Sequence, residues 1–511
     1  MIQFEEEDGP VPPKKPKLKT IESNSEKLKL DSSKSATSAK TRRNSNNFDI
    51  GSLMSDGTGK TLSKSMTSID DLSNEDNPHG WATVPHVILE HIFVHLAERH
   101  RPSAMYVCKR WYTVMRHTGN LWRVKSFRFS GRDPRDSTHL PYRNATQYVR
   151  IFGKYLRRLE FRLYNPALSS VCRKFQRAIR VCFITLIKEK ARLEELSIPG
   201  LQLDRGQWNS IQEDFTTWLA KYFCKGQHTL ERVNLRSAKM CLNDGYKVLF
   251  SLGYEMGDTV TYLDLEDFFF NRRPIFLFTE FVDCMRQFKN LRDLFINYSY
   301  ISEDFLETLA ENISHDSLKR LHIKVHAYDP HYQIIQGQFW SVLRNKCPNC
   351  KVDMKFERVM SSEEHFRILC PQIPLRQITF DGCYFAEQDW QIGPTISTIL
   401  PHYSNTLEKI TLDLPDTYEV FDSQFLALIE HCKSLYYLKI NAFISTKFIE
   451  KLVILRENDK CSVDTLKVRI YVRDFDTVAE ERDLERIYNA HKLAIRDKFY
   501  DYSVGCCVSL Q

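Results

Sequence analysis

The chain has 511 residues, of which 42% are hydrophobic and 27% are charged, and its net charge is +7. These values are ordinary for a soluble globular protein and too mildly basic to predict nucleic-acid binding. No run approaches the roughly 18 apolar residues that a membrane-spanning helix needs, so we expect no membrane partner. The first residues, MIQFEEEDGP, lack the basic flank and apolar core of a secretory signal. We therefore expect reduced cysteines and a cytoplasmic or nuclear location.

Residues 1–79 are predicted to be a disordered tail. They are rich in Ser, Thr, Lys and Asn, so they cannot bury enough apolar surface to offset their chain entropy. The run KKPK at residues 14–17 fits either a nuclear-import signal or a solvated charge run, and we favour the second. The motif GTGKT at residues 57–61 lacks the earlier glycine of a P-loop, because Met54 stands there. We therefore expect no nucleotide binding.

The stretch WATVPHVILEHIFVHLAERH, residues 81–100, is predicted to form a helix that carries several histidines. At 3.6 residues per turn, one apolar stripe collects five side chains, namely Ile88, Leu89, Ile92, Phe93 and Leu96. His91 lies opposite this stripe, His95 lies at its margin, and His86 is turned roughly 140° or more away from His91. Two histidines from one helix without a third ligand make a poor zinc site, so we predict no metal here.

A second helix is predicted from Val107, Cys108, Trp111 and Met115, spaced i, i+1, i+4 and i+8, and Leu121-Trp122 follows it. A unit of about forty residues with three short helices cannot supply a large core of its own. Some of these large apolar side chains are therefore expected to face a partner.

Residues 80–125 resemble an F-box, the adaptor module that docks onto Skp1 in cullin-based ubiquitin ligases. The opening Leu-Pro of the family corresponds to Val84-Pro85, and the family's Val-Cys-basic-basic-Trp corresponds to VCKRW at 107–111. The match departs from the family at Val87, where an acidic residue is common. The following FSG and the later repeats are most similar to the subfamily of F-box only protein 39 and its relatives. The resemblance implies that seven residues contact Skp1 or support the helices that do so: Pro85, Ile92, Phe93, Leu96, Val107, Cys108 and Trp111.

Beyond about residue 150 a hexamer recurs, consisting of Leu, two residues, an aliphatic residue, one residue and an apolar residue. Its ten copies begin at Leu156, Leu193, Leu230, Val260, Leu291, Leu318, Leu375, Leu407, Leu435 and Val463. The one long gap, from Leu318 to Leu375, predicts a degenerate copy near Val352 and Met354. The last three positions alternate as in a short strand, and amphipathic helical stretches lie between copies. This pattern predicts a solenoid that resembles an irregular leucine-rich-repeat array.

The sequence thus predicts an α/β chain with five parts: a disordered tail (1–79), a three-helix F-box (80–125), a linker (126–149), a solenoid of short parallel strands and helices (150–475), and a C-terminal helix and tail (476–511). The outward strand positions are mixed in polarity rather than rich in Arg and Lys, which favours protein recognition over phosphate binding. The candidate substrate contacts among them are Glu160, Asn234, Asp264, Phe295, His322 and Lys439.

No convincing catalytic group is found in the sequence. The lone CxxC at Cys347 and Cys350 has no second pair at zinc spacing and is predicted to be buried packing. We therefore expect no enzyme activity, no catalytic residue, no metal and no cofactor.

The leading hypothesis is a substrate-recognition subunit of a Skp1–cullin–F-box ubiquitin ligase. It would bind Skp1 and, through Skp1, the cullin and RING subunits, together with an unknown protein substrate. Two alternatives stay open. One is a repeat scaffold outside any ligase, whose F-box-like segment only caps the solenoid. The other is a metal-dependent or nucleic-acid-binding module that uses the histidine-bearing helix and the basic tail.

Overall fold

The computed structural model describes most of the chain from Trp81 onward. The described residues are 81, 84–130, 140–164, 166–227, 229–270, 273–359, 361–382, 392–414, 421–472 and 477–508. The predicted tail at 1–79, with its two motifs, lies outside them. Within the described ranges, no helix combines the length and apolar character needed to cross a membrane.

The first continuous part that the structure describes begins with a three-helix segment, residues 84–122. Its helices are α1 (His86–Val94), α2 (Arg101–Met105) and α3 (Lys109–His117). Cys108 precedes α3 in an extended conformation, and its Sγ accepts a hydrogen bond from the backbone N–H of Trp111 at 3.4 Å. The prediction that Val107 and Cys108 lie inside a helix is therefore wrong, because Cys108 caps the helix that follows it.

The core of the three-helix segment continues into the repeats. Leu89 and Phe93 are fully buried, and the ring of Phe93 meets Trp111 edge-on at 5.0 Å. Trp122 donates its indole N–H to the carbonyl of Met115 at 2.7 Å and stacks on Phe152 at 4.1 Å. Because Phe152 belongs to the next helix along the chain, the segment packs directly onto the start of the array.

Among the described residues, thirteen strands form one sheet in which every strand pairs in parallel with the next one along the chain. The strands are β1 (Val124–Ser130), β2 (Arg158–Tyr164), β3 (Glu195–Ser197), β4 (Arg232–Asn234), β5 (Tyr262–Asp264), β6 (Asp293–Asn297), β7 (Arg320–His326), β8 (Lys351–Glu357), β9 (Leu375–Asp381), β10 (Lys409–Leu414), β11 (Tyr437–Ala442), β12 (Thr465–Val472) and β13 (Asp501–Val508). The strand order confirms the predicted solenoid, and β8 confirms the degenerate copy, with Val352 and Met354 buried.

The connections between strands are mostly helical. The helices are α4 (Leu140–Phe152), α5 (Ser169–Lys188), α6 (Gln212–Lys225), α7 (Leu242–Met256), α8 (Thr279–Met285), α9 (Glu303–Asn312), α10 (Gly337–Lys346), α11 (Ser362–Ile368), α12 (Asp422–His431), α13 (Thr446–Glu457), α14 (Val478–Ala490) and α15 (Lys492–Lys498). The first residue of every predicted hexamer is at most 1% exposed, so the recurring Leu or Val forms a continuous core beside the strands. Cys347 and Cys350 are buried as well, as predicted.

Both ends of the array lie outside the predicted boundaries 150–475. The stretch 126–149, predicted as a linker, instead carries most of β1 and the start of α4. The C-terminal part contains the predicted helix as α14, but also α15 and the strand β13. The hexamer pattern does not mark β1 and β13, because neither strand follows the leading Leu or Val of the pattern. Their apolar side chains alternate only over Phe127 and Phe129 in one strand and over Tyr502 and Val504 in the other.

Candidate functional site

Helix α1 is apolar on two sides. Six of its nine residues, in the sequence HVILEHIFV, are apolar. Leu89 and Phe93 face the core, whereas Val87, Ile88 and Val94 are 65%, 50% and 48% exposed. The predicted single stripe therefore places Ile88 on the wrong side. A short helix with apolar side chains on its solvent side is expected to bury them against another molecule.

Further apolar side chains are exposed next to α1. Tyr106 and Val107 lie at the turn before α3 and are about half exposed, and Trp81 meets the ring of Trp111 edge-on at 6.0 Å. Helix α3 packs against both α1 and α2, so these residues belong to one small unit. We call six residues the exposed apolar set: Trp81, Val87, Ile88, Val94, Tyr106 and Val107.

The seven residues that the F-box resemblance singled out divide into three groups. Pro85 and Val107 are exposed, and Phe93 is fully buried. The other four are half-buried, namely Ile92, Leu96, Cys108 and Trp111. Phe93 therefore supports the packing of α1 on α3, whereas Val107 is open to contact. Whether these residues touch Skp1 stays a prediction.

The histidines of α1 do not converge. His91 and His95 are exposed, and the imidazole Nε2 of His86 lies 3.8 Å from a carboxylate oxygen of Glu90. Across the part of the chain that the structure describes, no three His, Cys, Asp or Glu side chains are grouped as metal ligands would be.

The strand register brings five of the six predicted substrate contacts into one row. Glu160 pairs with Ser197, and the row continues through Asn234, Asp264, Phe295 and His322. Lys439 falls in the neighbouring row. The cause is the pairing of β8 with β9, where Asp353 pairs with Gln377 beside a register shift, so every later hexamer is displaced by two residues relative to the earlier ones.

Asp264 is not open to solvent. A substrate contact at this outward strand position would have to be accessible, but Asp264 is only 3% exposed. Its Oδ1 accepts a hydrogen bond from the backbone N–H of Glu266 at 3.1 Å, and Glu266 is buried as well. This acidic step therefore lies inside the protein, next to a larger group of buried charges.

That group, which we call the polar cluster, lies at the carboxyl ends of β5 to β8 and consists of Glu266, Asp267, Asn297, Lys324, Asp329 and Glu357. The side chain of Lys324 is 8% exposed, and its Nζ lies 2.8 Å from Asp267, 3.0 Å from Glu357 and 3.6 Å from Glu266. Asn297 donates its side-chain N–H groups to Asp267 at 3.0 Å and to Asp329 at 2.7 Å. One lysine thus contacts three carboxylates from two other repeats, Glu266 and Asp267 after β5 and Glu357 on β8, which ties these turns of the solenoid together.

The pKa shifts in the polar cluster follow this arrangement. Burial opposes the charge of Lys324, but the adjacent carboxylates of Asp267, Glu357 and Glu266 outweigh it and raise the pKa of the lysine. Asp267 is also buried, yet Lys324 and the hydrogen bond from Asn297 hold its pKa below the usual value. For Glu266, burial dominates and raises the pKa. In the sequence, the only sign of this cluster is the acidic run Asp264, Glu266 and Asp267 at the end of β5.

Replacing Asp264 by Asn should increase stability at neutral pH. Burial raises the pKa of Asp264 from 3.8 to about 6, so the folded state binds its proton more tightly than the unfolded state does. The free energy of unfolding should therefore fall as pH rises from about 4 to about 6. Asp264→Asn keeps the acceptor oxygen without the charge and should gain up to about 3 kcal/mol at pH 7. Denaturant unfolding of both proteins between pH 4 and 7.5 checks this; a constant difference would contradict it.

Comparison with known proteins gives a match to a protein family and matches to individual proteins. Residues 81–128 match the F-box-like family. The F-box/LRR-repeat protein 21 of Ovis aries is 23% identical over 425 residues, which are 76% of this chain and 87% of that protein. Its counterpart in Mus musculus is 21% identical over 373 residues, covering 70% of this chain and 75% of that protein.

Among solved structures, the crystal structure of the Rad7 and Elc1 complex in yeast aligns over 81% of this chain and 94% of that chain, with 14% identity and a TM-score of 0.38. The sequence matches support an F-box-like segment followed by repeats similar to those of F-box/LRR-repeat proteins.

Proposed function

We propose that this chain is the substrate-recognition subunit of a Skp1–cullin–F-box ubiquitin ligase, in which the three-helix segment binds Skp1 and the repeats bind a protein substrate. The observation that carries the proposal is the exposed apolar set. Its side chains lie at the surface of a segment that matches the F-box-like family over residues 81–128. Burying several aromatic and aliphatic side chains at one interface supplies the hot-spot energy of a stable complex.

A scaffold outside any ligase is the second candidate, and the packing of Trp122 on the first repeat favours it. Leu121 and Trp122 are buried, and the Trp122 ring stacks on Phe152 and meets Tyr148 edge-on at 6.1 Å. The three-helix segment therefore does cover the first repeat. A segment that only capped the array would need apolar side chains on that side alone, and Val87, Ile88 and Val94 lie exposed on α1. Covering the array and docking a partner are compatible roles, so we favour the ligase subunit.

In this role the chain is an adaptor without covalent chemistry of its own. Tethering a substrate near a ubiquitin-loaded enzyme raises the local concentration of its lysines, while the cullin and RING subunits carry that enzyme. The accessible members of the strand row, Glu160, Asn234, Phe295 and His322, are the proposed substrate contacts. The finer similarity to the subfamily of F-box only protein 39, and a cytoplasmic or nuclear location, are parts of the same proposal.

Co-expression of the full chain with Skp1 tests the ligase role. We expect a complex of one copy of each protein that stays together in size-exclusion chromatography with light scattering. If the chain elutes as a folded protein without Skp1, the three-helix segment acts only as a cover for the array, and the scaffold becomes the better description.

A further inference from the structure

The two ends of the solenoid differ. At the N-terminal end the three-helix segment packs on the first repeat through Trp122 and Phe152. At the C-terminal end, β13 pairs with β12 on one side, and within the described ranges no strand pairs with its other side. Repeat arrays need their terminal apolar faces covered, so the uncovered side of β13 calls for an explanation.

The edge of β13 that pairs with no described strand is a template for strand pairing. The backbone N–H of Asp501 donates to the carbonyl of Asp464 at the start of β12. Because alternate residues of a parallel ladder direct their polar groups to the same side, those of Tyr502, Val504 and Cys506 point away from β12. The strand, DYSVGCCV, contains no Lys and no Pro, which are the usual protections of an edge.

An apolar groove lies beside this edge. Tyr502, Val504 and Cys506 continue the inward row of Leu466, Val468 and Ile470, which are buried, yet the β13 side chains are only half-buried. Between β13 and α14 lies a cavity of about 430 Å³, which Leu484 and Tyr488 line from the helix side. The groove thus offers room for the apolar side chains of one further strand.

The groove is acidic. Glu481 and Glu485 are the charged residues that line it, and both are exposed on α14. Burial and the nearby carboxylates of Glu480 and Glu481 raise the pKa of the Cys506 thiol to about 11, as expected for a thiol that faces them. Lys467 and Asp501 pair at 2.9 Å on the other face of the strand, so they do not neutralise the groove. An occupant with basic side chains fits this charge.

We propose that the C-terminal end of the array binds an extended segment of another protein by strand addition to β13. Apolar side chains of the segment enter the groove, and its lysines or arginines meet Glu481 and Glu485. Main-chain hydrogen bonds to Tyr502, Val504 and Cys506 hold the segment, as in other complexes formed by adding a strand to a sheet edge. This surface is separate from the exposed apolar set, and the inference does not depend on the proposed ligase role.

Peptide binding to the full chain tests the proposal. The probe is a fluorescein-labelled peptide, as long as β13, with Thr at every second position and Val and Lys in turn at the positions between, so that Val and Lys share the face that meets the groove. Binding is followed by fluorescence anisotropy. We expect saturable binding, and about tenfold weaker binding of the same peptide with Glu in place of Lys. Absence of saturable binding, or equal binding of both peptides, overturns the proposal.

Variants locate the binding. Val504→Pro removes an edge donor, at a position where an edge strand tolerates Pro, and should weaken binding about tenfold more than Val504→Ala does. Glu481→Lys with Glu485→Lys should also abolish the preference for the Lys peptide. Glu307→Lys with Glu311→Lys, the same spacing on α9 and equally exposed, is the matched control.

Equal losses for the two charge-reversal pairs, or no difference between Pro and Ala at position 504, contradict strand addition at this edge. Thermal unfolding of each variant shows whether it is folded. If sedimentation shows dimers of the wild type that Val504→Pro dissociates, the occupant is a second copy of this chain, and the proposed basic segment is wrong.

Discussion

Substituting Ile88 by Asp should weaken the complex with Skp1 about 100-fold and leave the chain folded. Ile88 is 50% exposed on α1, so the substitution removes little of the chain's own core. In a complex, the same side chain would be buried, and an unpaired carboxylate there costs several kcal/mol, where each 1.4 kcal/mol is about tenfold in affinity. Titration calorimetry of purified chain against Skp1 measures the loss directly. Val107→Asp, at a second exposed position, should have a similar effect.

The matched control for Ile88→Asp is Phe250→Asp. Phe250 is 53% exposed on α7, where it stacks on Tyr254 at 6.0 Å, so it is an equally exposed apolar side chain far along the array. It should leave Skp1 affinity unchanged. Trp111 and Phe93 are poorer test sites, because Phe93 is fully buried and packs on Trp111, so their loss would unfold the segment. Wild-type affinity of Ile88→Asp would exclude α1 from the interface.

The repeat architecture could be predicted from the sequence because each hexamer can be recognised by its own residues. A leading Leu and an alternating triplet recur whatever the neighbouring repeats contain, and even the weak copy around Val352 was predicted from its spacing. The terminal strands β1 and β13 could not be found in this way. Within the described residues each has a single strand neighbour, and neither carries the leading Leu or Val that marks the other copies.

The candidate site was predicted less completely, since exposure is a tertiary property. The helical periodicity predicts that Ile88 and Leu89 share one apolar stripe. In the structure α1 packs on α3 through Leu89 and Phe93, and this orientation of the helix leaves Ile88 exposed. The pairing of Asp353 with Gln377 places Lys439 two residues beyond the row that holds His322, and nothing in the hexamers marks this offset. In the polar cluster, Lys324 meets Asp267 across a separation of 57 residues, which no local pattern reveals.

Lys324→Met should lower the free energy of unfolding by about 3–5 kcal/mol, because it leaves the buried carboxylate of Asp267 without its cation, while Glu266 keeps Arg236 and Glu357 keeps Lys355. Methionine keeps a similar side-chain volume. It removes the charge of Lys324 and its contacts with Asp267 and Glu357, whose carboxylates lie within 3.0 Å of Nζ. Denaturant unfolding at pH 7 measures the loss. The deficit should shrink as pH falls, since Lys324 holds the pKa of Asp267 and of Glu357 low, and both carboxylates can then take up protons instead.

Lys439→Met is the matched control, and a double variant separates charge from packing. Lys439 lies in the same lateral row as Lys324, reached through Lys355, Thr379 and Thr411, but on β11. Its substitution should change the free energy of unfolding by less than about 0.5 kcal/mol.

Adding Asp267→Asn to Lys324→Met should recover part of the loss, because one uncompensated charge is removed. If the double variant is less stable than Lys324→Met at pH 7, packing and hydrogen bonding rather than charge hold the carboxyl ends of β5 to β8 together.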